Sequence, residues 1–173
     1  MNTLRYSRWL KASTAALLIK PQTHEIVRML GKIDSDLQDK DIEFRVLRSD
    51  IASITSDQWQ NICDAIALSH LWALGAYELV RTLCQCLRDS SELSKDVKER
   101  CKKLKIEFER IRMPLAKLET PDRHHQTDYG VAYAGFNETH GLGWMVSEND
   151  FVSREKLGIA LLEFLEFART KQK

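Results

Sequence analysis

The sequence lacks several features that would settle its class at once. Lys and Arg number 26 against 25 Asp and Glu, a formal net charge of +1, so there is no whole-protein field of the kind that strong nucleic-acid and membrane binders carry. Any such binding has to come from a local patch. No apolar run approaches the ~20 residues needed to cross a bilayer, and no membrane partner is expected. The four cysteines, Cys63, Cys84, Cys86 and Cys101, all fall in segments of helical pattern. That suits small buried hydrophobes in a reducing, cytoplasmic setting rather than a disulfide framework. Internal repeats and low-complexity tracts are missing. At 173 residues the chain fits one helical-bundle domain, 1–173, long enough to build a core without disulfide or metal.

What is present is helical periodicity. Ser56 to Asp89 has no proline, a single glycine and apolar residues on almost every side, which predicts a long central helix. Thr55 and Gln58 can form a capping box at its start. Before it, residues 3 to 19 read as a first helix stopped by Pro21. The stretch of Arg5, Arg8 and Lys11 before ASTAALLI loosely imitates a signal peptide, but its apolar run is short and no small-residue cleavage site precedes Lys20-Pro21. A second helix starts from Thr23 as N-cap, with Ile26, Leu30, Ile33 and Leu37 as its stripe. Over residues 42–48 the pattern fits either a continued helix through Phe44, Leu47 and Ile51 or a strand alternating at Ile42, Phe44 and Val46.

After the polar break at Asp89-Ser90-Ser91, Val97, Cys101, Leu104, Phe108, Ile111, Leu115 and Leu118 form a continuous seam in a helix from Leu93 to Glu119. The short connection predicts antiparallel packing on the central helix. Pro114 should kink this helix near Met113. The texture then changes to Gly and aromatics, predicting a hairpin of Tyr129–Phe136 and Leu142–Val146 within about 129–147. Ser153 can cap a last helix whose apolar face holds Leu157, Ala160, Leu161, Phe164 and Ala168. The expected fold is mainly α, an antiparallel bundle of about five helices with a small C-terminal β-hairpin before the last.

Candidate chemistry centres on the few polar residues of the central helix. His70, Tyr77, Arg81 and Arg88 share one stripe, because steps of seven and four return nearly to the same angle, and Glu78 flanks it. Glu78 can pair with Arg81 at i, i+3. Arg88 has a separate explanation as a last-turn cation favoured by the helix dipole. Arg112, Lys117 and Glu119 on the next helix could complete a polar pocket with His70, Tyr77, Glu78 and Arg81. The stripe is therefore either an exposed face or a buried network, and a pocket of this kind serves either as a register-fixing ion-pair network or as a site. His124-His125 with Asp122 and Asp128 matches no metal-binding spacing and reads as a solvated loop. Cys84 and Cys86 point to nearly opposite sides of a helix and read as packing residues. No metal or other cofactor is expected. The run Lys95, Lys98, Arg100, Lys102, Lys103, Lys105 is diluted by Asp96, Glu99, Glu107 and Glu109, so it reads as a solvated face before it reads as a phosphate-binding one. The hairpin's Tyr129, Tyr133, Phe136 and Trp144 would cover the bundle or meet a partner.

The phrase LWALGAYELVR, a following helix with RIRMPLAKLE, then a hairpin and a terminal helix resemble prokaryotic HEPN-like helical-bundle proteins over residues 56–169. The resemblance implies a homodimer and a stress or defence setting. Active members of that superfamily cut RNA with an arginine and a histidine on a late helix, four to six residues apart. That motif is absent here, and Arg112 has Lys117 where the histidine would stand. The expectation is therefore a non-enzymatic interaction protein, homodimeric or bound to a protein partner. Its rivals are a diverged RNA-cleaving or RNA-binding protein using Arg112, Lys117, Glu78 and Arg81 with His70 or His124, and a binder of a small anion at Arg81, Arg112 and Lys117.

Overall fold

Single residues decide where the N-terminal helices stop. In the computed structural model, which describes residues 3–47, 54–90 and 94–171, the expected first helix is two helices, α1 (Thr3–Ala12) and α2 (Thr14–Ile19). They part at Ser13, whose hydroxyl donates to the Leu10 carbonyl at 2.8 Å and so competes with the backbone ladder. Pro21 then opens a 3-10 turn, Pro21–Thr23. Thr23 is not an N-cap acceptor as its sequence position suggests, because it is buried and its hydroxyl donates to the Lys20 carbonyl at 2.7 Å.

Helix α3 (His24–Leu47) settles the ambiguous stretch as helix through residue 47, and residue 48 lies outside the described residues. Phe44 is buried while Ile42 and Val46 are exposed, as a helix requires of residues two apart. Ile51 lies outside the described residues. The inward stripe of α3 differs from the expected one: Val27, Leu30, Asp34, Leu37, Asp41 and Phe44 face in, and Ile26 is 45% exposed. Two aspartates sit where an apolar stripe would place hydrophobes.

Helix α4 (Ser56–Asp89) starts with the capping box in full. The Thr55 hydroxyl accepts from the Gln58 amide at 3.3 Å, and the Gln58 side chain accepts from the Thr55 amide at 2.8 Å. Helix α5 (Lys95–Ala116) returns antiparallel to it, with the Trp72 and Phe108 rings 6.0 Å apart and Cys84 against Cys101. Val97, Cys101, Leu104, Phe108 and Ile111 form the buried seam. The helix runs through Pro114 but stops short of Glu119, because Leu118 takes a left-handed φ of 57° just past the last turn. Leu93 lies outside the described residues.

The expected hairpin is a three-stranded antiparallel meander, β1 (Tyr133–Asn137), β2 (Gly141–Ser147) and β3 (Asp150–Ser153), in the order β1-β2-β3. Its first strand begins at Tyr133, not Tyr129. The third strand is too short to show an alternation in sequence, and pairing with β2 is what makes it a strand. Leu142, Trp144 and Val146 of β2 point into the core. Ser153 closes β3 and caps helix α6 (Arg154–Thr170), accepting from the Lys156 amide at 3.2 Å. Hydrophobes from α1 through α6 and from β2 share one buried cluster. Among the described residues no helix is long and apolar enough to cross a membrane.

Candidate functional site

The seven residues expected to form a polar pocket do not converge on one. Glu78 and Arg81 pair at 2.7 Å, but both are exposed at the surface, where such a pair contributes little. Arg112 lies over the Tyr77 ring, 5.4 Å from its centroid. Lys117 and Glu119 point into solvent. His70 is turned the other way, its Nδ1 paired with the Ile66 carbonyl at 2.8 Å and its ring edge-on to Trp144. Arg88 is exposed beside Asp89, as its last-turn position implied. His124 faces Asp128 at 3.9 Å, and among the described residues no three potential ligands gather as a metal site would require.

The buried charges lie elsewhere, at residues the sequence patterns passed over. Arg154, fully buried at the start of α6, donates through Nη1 to Asp34 at 2.7 Å and through Nη2 to Asp41. Asp34 also receives the Trp9 indole N–H at 2.8 Å and the Arg5 guanidinium. The other Asp41 oxygen accepts the Leu142 amide at 2.9 Å. Two cations thus face two carboxylates, and the cluster ties α1, α3, β2 and α6 together. Burial pushes the Asp41 carboxyl above the usual carboxylate range despite Arg154 and the Leu142 amide. One signal in the sequence could have found this group: Asp34 and Asp41 are seven apart on an otherwise apolar stripe. A second is Arg154, a cation at the positive end of a helix, where the dipole disfavours it.

A second ion-pair set anchors the sheet to α5. Arg110 grips Asp128 with two bonds of 2.7 and 2.9 Å and reaches Asp150 at 2.6 Å. Burial would raise the Asp128 carboxyl, but Arg110, Thr127 and His124 together outweigh it and hold the group below the usual carboxylate range. A depressed carboxyl contributes stability above its unfolded pKa and loses it as pH falls through the folded one. Asp128→Asn is therefore expected to cost about 1.5–3 kcal/mol at pH 7, the value of charged hydrogen bonds. The deficit should shrink once the pH drops below about 4, where the unfolded-state aspartate is itself protonated. Urea titrations at several pH values check this, and a deficit that stays constant from pH 7 to pH 3 sinks it.

Two surface features stand out among the described residues. One is a groove of about 530 Å³ between the end of α4 and the start of α5, whose lining includes Arg81, Cys84, Arg88, Lys98, Lys102 and Lys105. Part of the basic run on α5 therefore reaches a concave site, which helix periodicity alone did not suggest. The other is an apolar outer face. Compared with family models, curated proteins and solved structures, the chain matches none.

The outer face belongs to α3 and α4. The Trp72 indole donates to the Leu30 carbonyl at 3.0 Å, which marks the line where the two helices touch. Met29 and Ile33 flank Leu30 at one residue before and three after, and Leu71 and Gly75 flank Trp72 in the same way. Residues 44 and 47 of α3 meet residues 58 and 61 of α4 in a shared hollow, so the helices run antiparallel. In an antiparallel pair the same rotation from the contact line leads to the same side. Met29 (65% exposed), Leu71 (67%), Ile26 and Leu68 therefore lie on one face, with Gly75 leaving its centre low.

Proposed function

We propose that this chain works by association rather than catalysis, as a homodimer joined across the outer face of α3 and α4. The supporting observation is the apolar stripe pair itself, two aligned rows of exposed large hydrophobes on adjacent helices. Scattered exposed hydrophobes need no explanation, whereas a contiguous row on two helices does. A 24-residue helix is roughly 36 Å long and a helix pair roughly 20 Å across, a face of about 700 Å² in which the apolar rows occupy one end and charged residues the other. The whole face, apolar and charged together, is close to the ~800 Å² per partner of a stable interface.

Charge favours a second copy as the occupant. Lys40 of α3 and Asp64 of α4 continue the same two stripes, and counting down α4 as α3 is counted up brings them level. A two-fold axis parallel to the helices lays α3 across the partner's α4, so that each Lys40 meets an opposite charge. Such a face is self-complementary, as an isologous interface must be. The resemblance to HEPN-like proteins adds the expectation of a dimer and of a prokaryotic stress or defence setting. Cleavage of RNA through Arg112 has less support, because that guanidinium stacks on Tyr77.

Sedimentation equilibrium tests the reading. Wild type is expected to be dimeric in the micromolar range, and Leu71→Glu monomeric with an unchanged circular dichroism spectrum. The substitution should weaken the dimer at least about a hundredfold, since two buried leucines at ~1.5 kcal/mol or more each exceed the ~2.8 kcal/mol of two powers of ten. Lys40→Asp should weaken it less, and adding Asp64→Lys should restore it. A wild-type monomer at high concentration, or a dimer indifferent to Leu71→Glu, removes the proposal.

A further inference from the structure

Cys84 and Cys101 face each other across the α4–α5 interface with their sulfurs 2.6 Å apart, and both are free thiols. They differ in access. Cys101 is fully buried. Cys84 is partly exposed and lines the cationic groove. Cys63 and Cys86 have no such setting among the described residues.

The groove is built for negative charge. Arg81, Arg88, Lys98, Lys102 and Lys105 line it, and no described carboxylate does. Glu78, Asp89 and Glu109 lie just outside and pair with Arg81, Arg88 and Lys105, and Lys98 caps the end of α4 at the Ser90 carbonyl. Lys102 lines the groove from an exposed position on α5. Converging cations in a concave site concentrate anions and speed their arrival.

We propose that Cys84 and Cys101 form a dithiol site at which small anionic disulfides are captured and reduced. The Cys84 thiolate attacks one sulfur of the disulfide, forming a Cys84–ligand bond and expelling the other half as a thiolate. The Cys101 sulfur then attacks Cys84 Sγ and expels the second half, and the protons of the two cysteines end on the two released thiols. Two electrons pass from the cysteine pair to the bound disulfide, and α4 becomes covalently joined to α5. The electrostatics match these roles. The hydrogen bond between the thiols, followed by Lys105, holds Cys84 below the usual thiol range against the effect of burial. The same bond, burial and the neighbouring sulfur push Cys101 far above it. A thiolate-prone, accessible cysteine beside a buried partner is the arrangement thiol–disulfide exchange requires.

Glutathione disulfide, which is anionic, and cystamine, which is cationic, serve as probes on the full chain, with intact and peptide mass spectrometry as the readout. Wild type is expected to lose two hydrogens and to hold no lasting adduct, with the new bond mapped to Cys84 and Cys101. Cys101→Ala should trap a glutathione adduct on Cys84, and Cys84→Ala should show neither product. Lys102→Glu should slow the reaction with glutathione disulfide about tenfold, the lower end of electrostatic steering, and leave cystamine no slower. Because the wild-type and Lys102→Glu measurements touch no core residue, a folding defect in the cysteine variants leaves the test intact. Adducts spread evenly over Cys63, Cys84 and Cys86, faster reaction with cystamine, or oxidation by hydrogen peroxide alone would each overturn the proposal.

Discussion

Replacing Arg154 with methionine is expected to cost about 3–5 kcal/mol of stability, the usual penalty for breaking a buried ion pair from one side. The loss falls unevenly on its two partners. Asp34 keeps the Trp9 indole and the Arg5 guanidinium, whereas Asp41 keeps only the Leu142 amide. Arg154→Met/Asp41→Asn should therefore recover about 1–3 kcal/mol, because it removes the stranded charge while an amide oxygen can still accept from Leu142. The pH dependence has a definite sign. A carboxyl raised by burial takes up a proton on folding, so it favours the fold at low pH and costs stability as pH rises above its unfolded value. Removing the cation enlarges that rise, and the Arg154→Met deficit should narrow as pH falls from 7 toward 4. Urea unfolding followed by circular dichroism measures both effects. A single-variant cost below about 1 kcal/mol would show that the cluster adds little to stability.

Gly141→Ala should be nearly as damaging, for a different reason. Gly141 opens β2 at a φ of 68°, a left-handed conformation that costs a residue with a Cβ about 1–2 kcal/mol. An added Cβ would also stand 2.3 to 2.6 Å from the atoms of the Asp41 carboxylate. That carboxylate cannot retreat, since Arg154 and the Leu142 amide hold it in place. Overpacking adds about 1–3 kcal/mol, so a total near 2–5 kcal/mol is expected by thermal or urea denaturation. Gly130 supplies the control. Its nearest neighbour to an added Cβ is the Leu118 carbonyl oxygen at 3.4 Å, and Gly130→Ala should change stability by less than about 1 kcal/mol. Equal effects at the two positions would contradict this account of Gly141.

Both predictions concern residues that sequence periodicity did not single out. The capping box at Thr55 and Gln58, the α4 and α5 helices, the Ser153 cap and the helical state of α6 were legible because each depends on neighbours a few residues away. The buried charges were not legible because their partners lie far along the chain, whereas the i, i+3 pairing of Glu78 with Arg81 was. Glu78 and Arg81 satisfy each other locally and stay at the surface. Arg154 finds Asp34 and Asp41 at sequence separations of 120 and 113. Cys84 and Cys86 point apart on one helix, whereas the partner of Cys84 is Cys101 on the next. Those two cysteines stand at nearly the same distance from the facing ends of α4 and α5, a symmetry that an antiparallel reading could have used.

By itself the sequence determined that this chain is a mostly helical bundle with a small sheet before its last helix. Helix caps, apolar spacing and proline placement act over one or two turns, and that range is readable in a linear string. Only the tertiary structure decided which charges are buried, which cysteines meet and which apolar residues are left uncovered. Each of those outcomes depends on how two helices are rotated against one another. A stripe such as Ile26, Met29 and Ile33 carries the same periodicity whether it faces the core or the solvent, and packing alone settles which.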